Sequence, residues 1–360
     1  MLINIQFLRF AAALAVVVYH AGKHVAATGA DPGWLFRAGE AVGFAGVDVF
    51  FVISGFIMFH TTRESAGAAA AAEFLKRRVA RIYSGYWPFF LFAALVFSRA
   101  RPEHFAESNL LTSFLLWPMP LNQVLLDVSW TLSYEMYFYL LFTVLVLLIA
   151  RRRAALLAGT VVLIAVLNLV RHFVWHDFSP ERFYTHSFAN HFLASPFLLE
   201  FFAGALLAVG NARGSARTAG WLLTAGVLGF AAAGVANVVV YDGNIEQGYH
   251  VVPRVILFGI PSVLMLLGLV GLERHGRVAP RRFSLDTGGA SYAIYLSHTI
   301  LLVATMHLGL NAALRGWPDL AVQAVFLLYC ALIVALNVVY YRLAERPLHR
   351  LFKRALRLTR

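Results

Sequence analysis

Ten apolar stretches recur along this chain, near residues 5–21, 41–60, 82–98, 131–150, 154–174, 191–209, 219–239, 252–272, 289–310 and 320–341. Each is long enough, or nearly so, to cross a bilayer core of about 30 Å as a helix. Nothing else in the sequence restricts the fold so strongly, because lipid offers no partner to a bare peptide group and admits only helices and closed barrels. Only 13% of the 360 residues are charged and 60% are hydrophobic, whereas a soluble domain is roughly a quarter charged. No segment between the stretches is large enough for a second globular domain. The sequence therefore predicts an all-α, polytopic membrane protein, with a membrane domain over residues 1–342 and a basic cytoplasmic tail over 343–360. The first stretch has no basic segment ahead of it and no small-residue cleavage pattern behind it, so it is expected to be a retained helix and not a leader.

Basic loops stay cytoplasmic, which turns lysine and arginine placement into a topology signal. Twenty-one of these residues follow even-numbered stretches: Arg63, Lys76, Arg77, Arg78 and Arg81, then 151–153, Arg213 and Arg217, Arg274, Arg277, Arg281 and Arg282, and seven in the tail. Seven follow odd-numbered stretches: Lys23, Arg37, Arg99, Arg101, Arg171, Arg182 and Arg315. The bias favours ten spans with both termini in the cytoplasm, and it accounts for the net charge of +12 without any nucleic-acid partner. The lone cysteine, Cys330, lies in the last stretch, so neither an internal disulfide nor a cysteine-based metal site can form. The alanine-rich segment 64–83 is expected to be a cytoplasmic helix leading into the third span, and segment 99–128 to pack outside, over a cavity mouth. Segments 171–190 and 241–250, aromatic and histidine-bearing, are expected outside and able to meet a hydrophilic partner.

Several residues are not explained by lipid. Arg9 and His20 lie eleven positions apart in "FLRFAAALAVVVYH", which returns a helix to within about 20° of its starting direction and separates the two by roughly 16 Å along the axis. One helix face thus carries a fixed cation at one depth and a titratable imidazole at another; a snorkelling arginine and a capping histidine are the plainer alternative. Asp48 and Ser54 in "GVDVFFVISGF" either line a site or mark the start of a helix. Arg77, Arg78 and Arg81 in "KRRVARIYSGYW" can hold a polyphosphate or can merely anchor the span. Glu135 stands one turn into an apolar span beside Trp130, and burying that carboxylate costs several kcal/mol unless a partner or water meets it. Glu200 repeats the pattern. In "GGASYAIYLSHTI", Ser291, Tyr295 and His298 form a polar stripe, with Tyr292 beside it, that faces a cavity or other helices.

Together with "FLKRRVARIYSGYW", "WTLSYEMYFYLL", "LEFFAGALL", "SYAIYLSH" and "AERPLHR", these motifs resemble the acyltransferase family three of bacterial integral-membrane proteins over nearly the whole chain, and within it the branch acetylating exopolysaccharides of succinoglycan type. The resemblance implies transfer of an acyl group, commonly acetyl from acetyl-CoA, to a hydroxyl of a surface polysaccharide or its lipid-linked precursor at the bacterial inner membrane. It implies Arg9 and His20 as the required pair, with Glu135 and the Ser291, Tyr292, Tyr295 and His298 group in support. Some relatives carry a fused periplasmic domain that completes the transfer; here the membrane domain or another protein is expected to finish it. On this reading the CoA phosphates rest among Arg77, Arg78, Arg81 and Arg9, and the pantetheine arm brings the thioester to His20. His20 then acts as a general base oriented by Glu135, or as a covalent acyl carrier, while serine and tyrosine hydroxyls bind sugar or oxyanion. No histidine pair has a convincing metal-ligand spacing, and acyl-CoA is expected as co-substrate with no bound cofactor. A carrier or flippase for a polysaccharide intermediate and a non-catalytic assembly partner are the competing classes.

Overall fold

A computed structural model describes residues 2–148, 152–180, 188–210 and 214–358. Arg151, Arg182, Arg213 and Arg360, used above to orient the chain, and part of segment 171–190 lie outside the described residues. Among those described, the chain is all helix and turn. Nine helices are long and apolar enough to cross a membrane: α1 (Ile3–Ala26), α2 (Gly33–Thr62), α3 (Gly67–Ala100), α5 (Arg153–Phe173), α6 (His191–Val209), α7 (Ala216–Val240), α8 (Gly248–Arg274), α9 (Arg281–His307) and α10 (Asp319–Ala355). The fourth apolar stretch is α4 (Trp130–Phe142), prolonged by a π-helical turn over Thr143–Leu148. The protein is thus a multi-pass membrane protein. The basic tail continues α10 through a π turn, Tyr341–Glu345, and lays Phe352 against Trp87 of α3.

Both ends of the described chain meet one face of the bundle. The backbone N–H groups of Ile3 and Asn4 donate to the Glu273 carboxylate at 2.7 and 2.8 Å, where α8 ends. Arg342, at the base of α10, pairs with Asp286 near the start of α9. This is the face at which the arginines of the even-numbered loops gather.

Helix α1 runs in the middle of the bundle between α9 and α2, and α2 lies against α6. The last contact is backbone on backbone: a Cβ on Gly55 would stand 1.7 Å from the Phe201 carbonyl oxygen, and one on Gly204 would stand 2.0 Å from that of Val52. Small residues at such crossings let membrane helices approach closely where no hydrophobic force drives them together. The approach fixes the rotation of α2, and with it the direction of Ser54 and Asp48.

Segment 101–129 does not form an outer lid. It turns back at Arg101 and descends beside α3 in two short helices, Pro102–Glu107 and Leu110–Phe114. The descent is recorded in its partners. His104 meets Phe97, the Ser113 carbonyl accepts from the Tyr86 hydroxyl (2.8 Å), the Phe114 carbonyl from Trp87 Nε1 (3.2 Å), and the Leu115 carbonyl from the Tyr83 hydroxyl (2.7 Å). Asp127 then returns to Arg101 and His104. Irregular backbone survives at membrane depth only when its carbonyls find donors, and aromatic side chains of α3 supply them. The proline-rich composition signalled a loop; the indole and phenol donors that make it re-entrant lie in another element.

Candidate active site

A cavity of about 150 Å³ lies among α1, α2, α3, α4 and α9. Its polar lining consists of Arg9, Ser54, Arg78, Arg81, Thr131, Glu135, Tyr139, Tyr292 and Tyr295, set among apolar walls such as Phe50, Phe51 and Ile82. Arg9 makes no hydrogen bond or close ion pair with any described residue, and Arg78 leaves its buried Nε without a partner while lying over the rings of Phe74 and Tyr139. Arg81 pairs at 2.6 Å with Glu345, a fully buried carboxylate at the base of α10. Three guanidiniums therefore border one hollow in which Glu135 is the only lining carboxylate among the described residues. Such a site favours an anion.

Glu135 accepts from the Ser54 hydroxyl at 2.9 Å and from the Tyr139 hydroxyl. It makes no contact with His20, so the orienting role expected for it falls elsewhere. The Nδ1 of His20 lies 2.9 Å from the Val16 carbonyl oxygen and 3.1 Å from Nε2 of His298, and Nδ1 of His298 lies 2.6 Å from the Tyr295 carbonyl oxygen. A carbonyl can only accept, so these partners assign the proton to Nδ1 of both rings when neutral. The His20 N–H is then shared between a carbonyl and the lone pair of His298. Its Nε2 has no hydrogen-bond partner among the described residues and carries a free lone pair. The rings of the two histidines stand 4.8 Å apart, and the Tyr295 ring, which also lines the cavity, lies 5.9 Å from that of His298.

The hydroxyls of the polar stripe are already committed. Tyr295 donates to the Val128 carbonyl (3.0 Å), Tyr292 to that of Ile82 (3.1 Å) and Ser291 to that of Gly288 (2.8 Å). What Tyr292 and Tyr295 present to the cavity is ring surface, and Ser291 is buried away from it. Trp130 packs among Phe51, Tyr134 and Phe197 without lining the cavity. Arg77 stands apart from Arg78 and Arg81, half-exposed and engaged by Glu73 at 2.5 Å. Asp48 is fully buried outside the cavity and gripped by Arg254, with Nη2 to Oδ2 at 2.6 Å and Nε 3.2 Å from both oxygens. Sequence reasoning gave no role to Glu345 or Arg254. Each had a signal, a charged group inside or beside a span that needed an opposite charge, but the partner lay more than 200 residues away.

Beyond His20 the α1 face continues into polar groups. Lys23 donates to the Tyr19 hydroxyl at 2.6 Å, and that hydroxyl donates to Glu246 at 3.3 Å, which draws segment 241–250 onto the end of α1 away from Arg9. Cation and imidazole thus share a helix, as the eleven-residue spacing predicts, with the anion-favouring cavity at one end and a polar surface at the other.

Comparison with known proteins adds chemistry to this geometry. Residues 2–342 match the model of the family-three acyltransferase domain. The chain is 30% identical over 341 residues to the exopolysaccharide production protein ExoZ of Rhizobium meliloti (strain 1021), covering 88% of this chain and 94% of that protein. No solved structure matches it.

Proposed function

The chain belongs to the family-three membrane acyltransferases, and from that membership we propose that it moves an acyl group, acetyl in the first instance, from acyl-CoA to a hydroxyl of a surface polysaccharide or its lipid-linked precursor. In this reading the protein sits in a bacterial inner membrane with its arginine-rich face in the cytoplasm, where acyl-CoA is made. The similarity to an exopolysaccharide production protein supports a carbohydrate acceptor. The observation that carries the mechanism is the His20 imidazole, tied through Nδ1 to Val16 and His298 and free at Nε2, on the helix that carries Arg9 into the cavity.

The acyl-CoA arm enters the cavity from the basic face and runs along the rings of Tyr292 and Tyr295 toward His20. The acceptor comes from the opposite end, by Lys23 and Glu246. Nε2 of His20 takes the proton of the sugar hydroxyl as its oxygen attacks the thioester carbonyl carbon. The carbon–sulfur bond breaks, the thiolate leaves, and the imidazolium returns its proton to that sulfur. Val16 and His298, both acceptors to Nδ1–H, stabilise the imidazolium between these steps. Glu135 accepts from the Ser54 and Tyr139 hydroxyls, which fixes both side chains in the cavity wall, and balances part of the cavity's positive charge.

The test is acyl transfer from radiolabelled acetyl-CoA into cell polysaccharide, comparing membranes that hold equal amounts of wild type and His20→Ala. Loss of a general base is expected to lower the rate by about 10²- to 10⁴-fold. Equal labelling would remove His20 from the chemistry. No labelling by the wild type would refute acetyl-CoA as donor or polysaccharide as acceptor.

A further inference from the structure

Arg81 stands between two hollows. One is the intramembrane cavity; the other, about 470 Å³ and at the basic face, is walled by Arg81, Arg342, Glu345, Arg346, His349 and Arg350. Arg342, Arg346 and Arg350 follow one another at intervals of four, which stacks three like charges along one helix face, an arrangement that destabilises a bare helix. Of the two carboxylates at hand, Asp286 pairs with Arg342 and Glu345 gives Oε1 to Arg81, its buried Oε2 making no hydrogen bond to a described residue. Arg346 lies over the Tyr341 ring and Arg350 reaches only the Arg346 carbonyl at 3.4 Å, so neither has a carboxylate partner among the described residues. The wall itself is firmly held: Glu345 is fully buried, His349 Nδ1 lies 3.1 Å from the Ser84 hydroxyl of α3, and Phe352 packs on Trp87.

We propose that this second hollow receives the phosphates of the acyl-CoA nucleotide, its 3′-phosphate and diphosphate meeting Arg346 and Arg350, while the thin pantetheine arm passes Arg81 into the intramembrane cavity. The assignment rests on acyl-CoA being the donor. It moves the principal anion site from Arg77, which Glu73 already occupies, to the C-terminal end of α10. Phosphate esters bind arginine bidentately, and two guanidiniums one helical turn apart, with no carboxylate partner among the described residues, suit a ligand carrying phosphates at two positions. An anionic lipid headgroup offers the same chemistry, so the test separates the two.

The full chain is reconstituted in nanodiscs of neutral phosphatidylcholine, and kcat and KM for acetyl-CoA are measured together with inhibition by CoA and by 3′-dephospho-CoA. For Arg346→Gln/Arg350→Gln, KM is expected to rise about tenfold or more with kcat within about twofold, and the wild type's preference for CoA over its dephospho form is expected to vanish. Arg354→Gln, which removes a charge outside the hollow, should behave as wild type. If the double variant is poorly recovered, Arg350→Gln against Arg350→Lys reads the same preference. An active variant with unchanged KM and unchanged preference overturns the site and leaves the acyl-CoA reading standing. A fall in kcat alone assigns the arginines to structure and overturns it too. Activity that requires phosphatidylglycerol in the wild type, and loses only that requirement in the variant, gives the hollow to a lipid. A wild type that neither binds nor uses acetyl-CoA removes both readings.

Discussion

Two regions of this protein set arginine beside carboxylate at membrane depth, and they are built to opposite ends. At the α2–α8 contact, Asp48 and Arg254 are fully matched: three nitrogen–oxygen contacts join them, and the guanidinium is sandwiched between the rings of Phe44 and Phe197. Glu200 lies beside this pair, and the whole group is sealed from solvent. In the α1–α3–α4 cavity, Arg9 and Arg78 have no carboxylate partner among the described residues, and the one carboxylate that lines it among those residues, Glu135, bonds to hydroxyls instead. A buried pair that satisfies itself has nothing left to offer a ligand. A cluster left short of anions is held ready for one.

The largest effect should come from breaking the sealed pair. Asp48→Ala removes the carboxylate that grips Arg254 and leaves that guanidinium with only Glu200 beside it, with an expected loss of up to about 3–5 kcal/mol of stability. Thermal unfolding in detergent measures this, and Asp48→Leu with Arg254→Met and Glu200→Gln, which replaces all the charges of the group, should recover most of it. Arg9→Gln inverts the pattern: thermal stability should hold, while KM for the acyl donor rises about ten- to hundredfold, the equivalent of one lost charged contact of about 1.5–3 kcal/mol. A destabilised but fully active Arg9→Gln would erase the distinction between the two regions.

Smaller again is the histidine pair. His298→Ala removes one of two acceptors at Nδ1 of His20 and should lower kcat about fivefold, a net hydrogen bond of about 1 kcal/mol, while His298→Gln, which still accepts, should restore most of the rate. Steady-state kinetics on equal amounts of folded protein reads this difference. The smallest effect belongs to Arg77→Gln, an exposed pair at helical spacing worth at most about 0.5 kcal/mol, with no change in donor KM. A large KM change there would return the phosphates to α3.

The apolar core of each helix was readable in the sequence, although several helices run beyond it, α2 beginning at Gly33 against the expected 41 and α9 at Arg281 against 289. The shared face of Arg9 and His20 was readable too, because core and face both follow from periodicity along a single segment. Segment 99–128 was misplaced because its composition says loop and not depth. Three donors on α3, Tyr83, Tyr86 and Trp87, draw it back along the helix, and only the packed structure brings them to its carbonyls. The same holds within the site. Glu135 was a reasonable orienter for His20, but α9 lies against α1 and brings His298 there first, whereas Glu135 on α4 faces Ser54.

The sequence by itself determined that the chain is a helical membrane protein, since a helix in lipid must satisfy its own backbone within each span and hydropathy records each span locally. It also carried the motifs by which the family is recognised. Tertiary structure alone decided which charge meets which: Asp48 with Arg254, Arg81 with Glu345, His20 with His298. Those partners stand 206, 264 and 278 residues apart. Their meeting depends on how each helix is rotated against the next, which is set by close contacts such as Gly55 against Phe201, and no periodicity within one segment encodes that rotation.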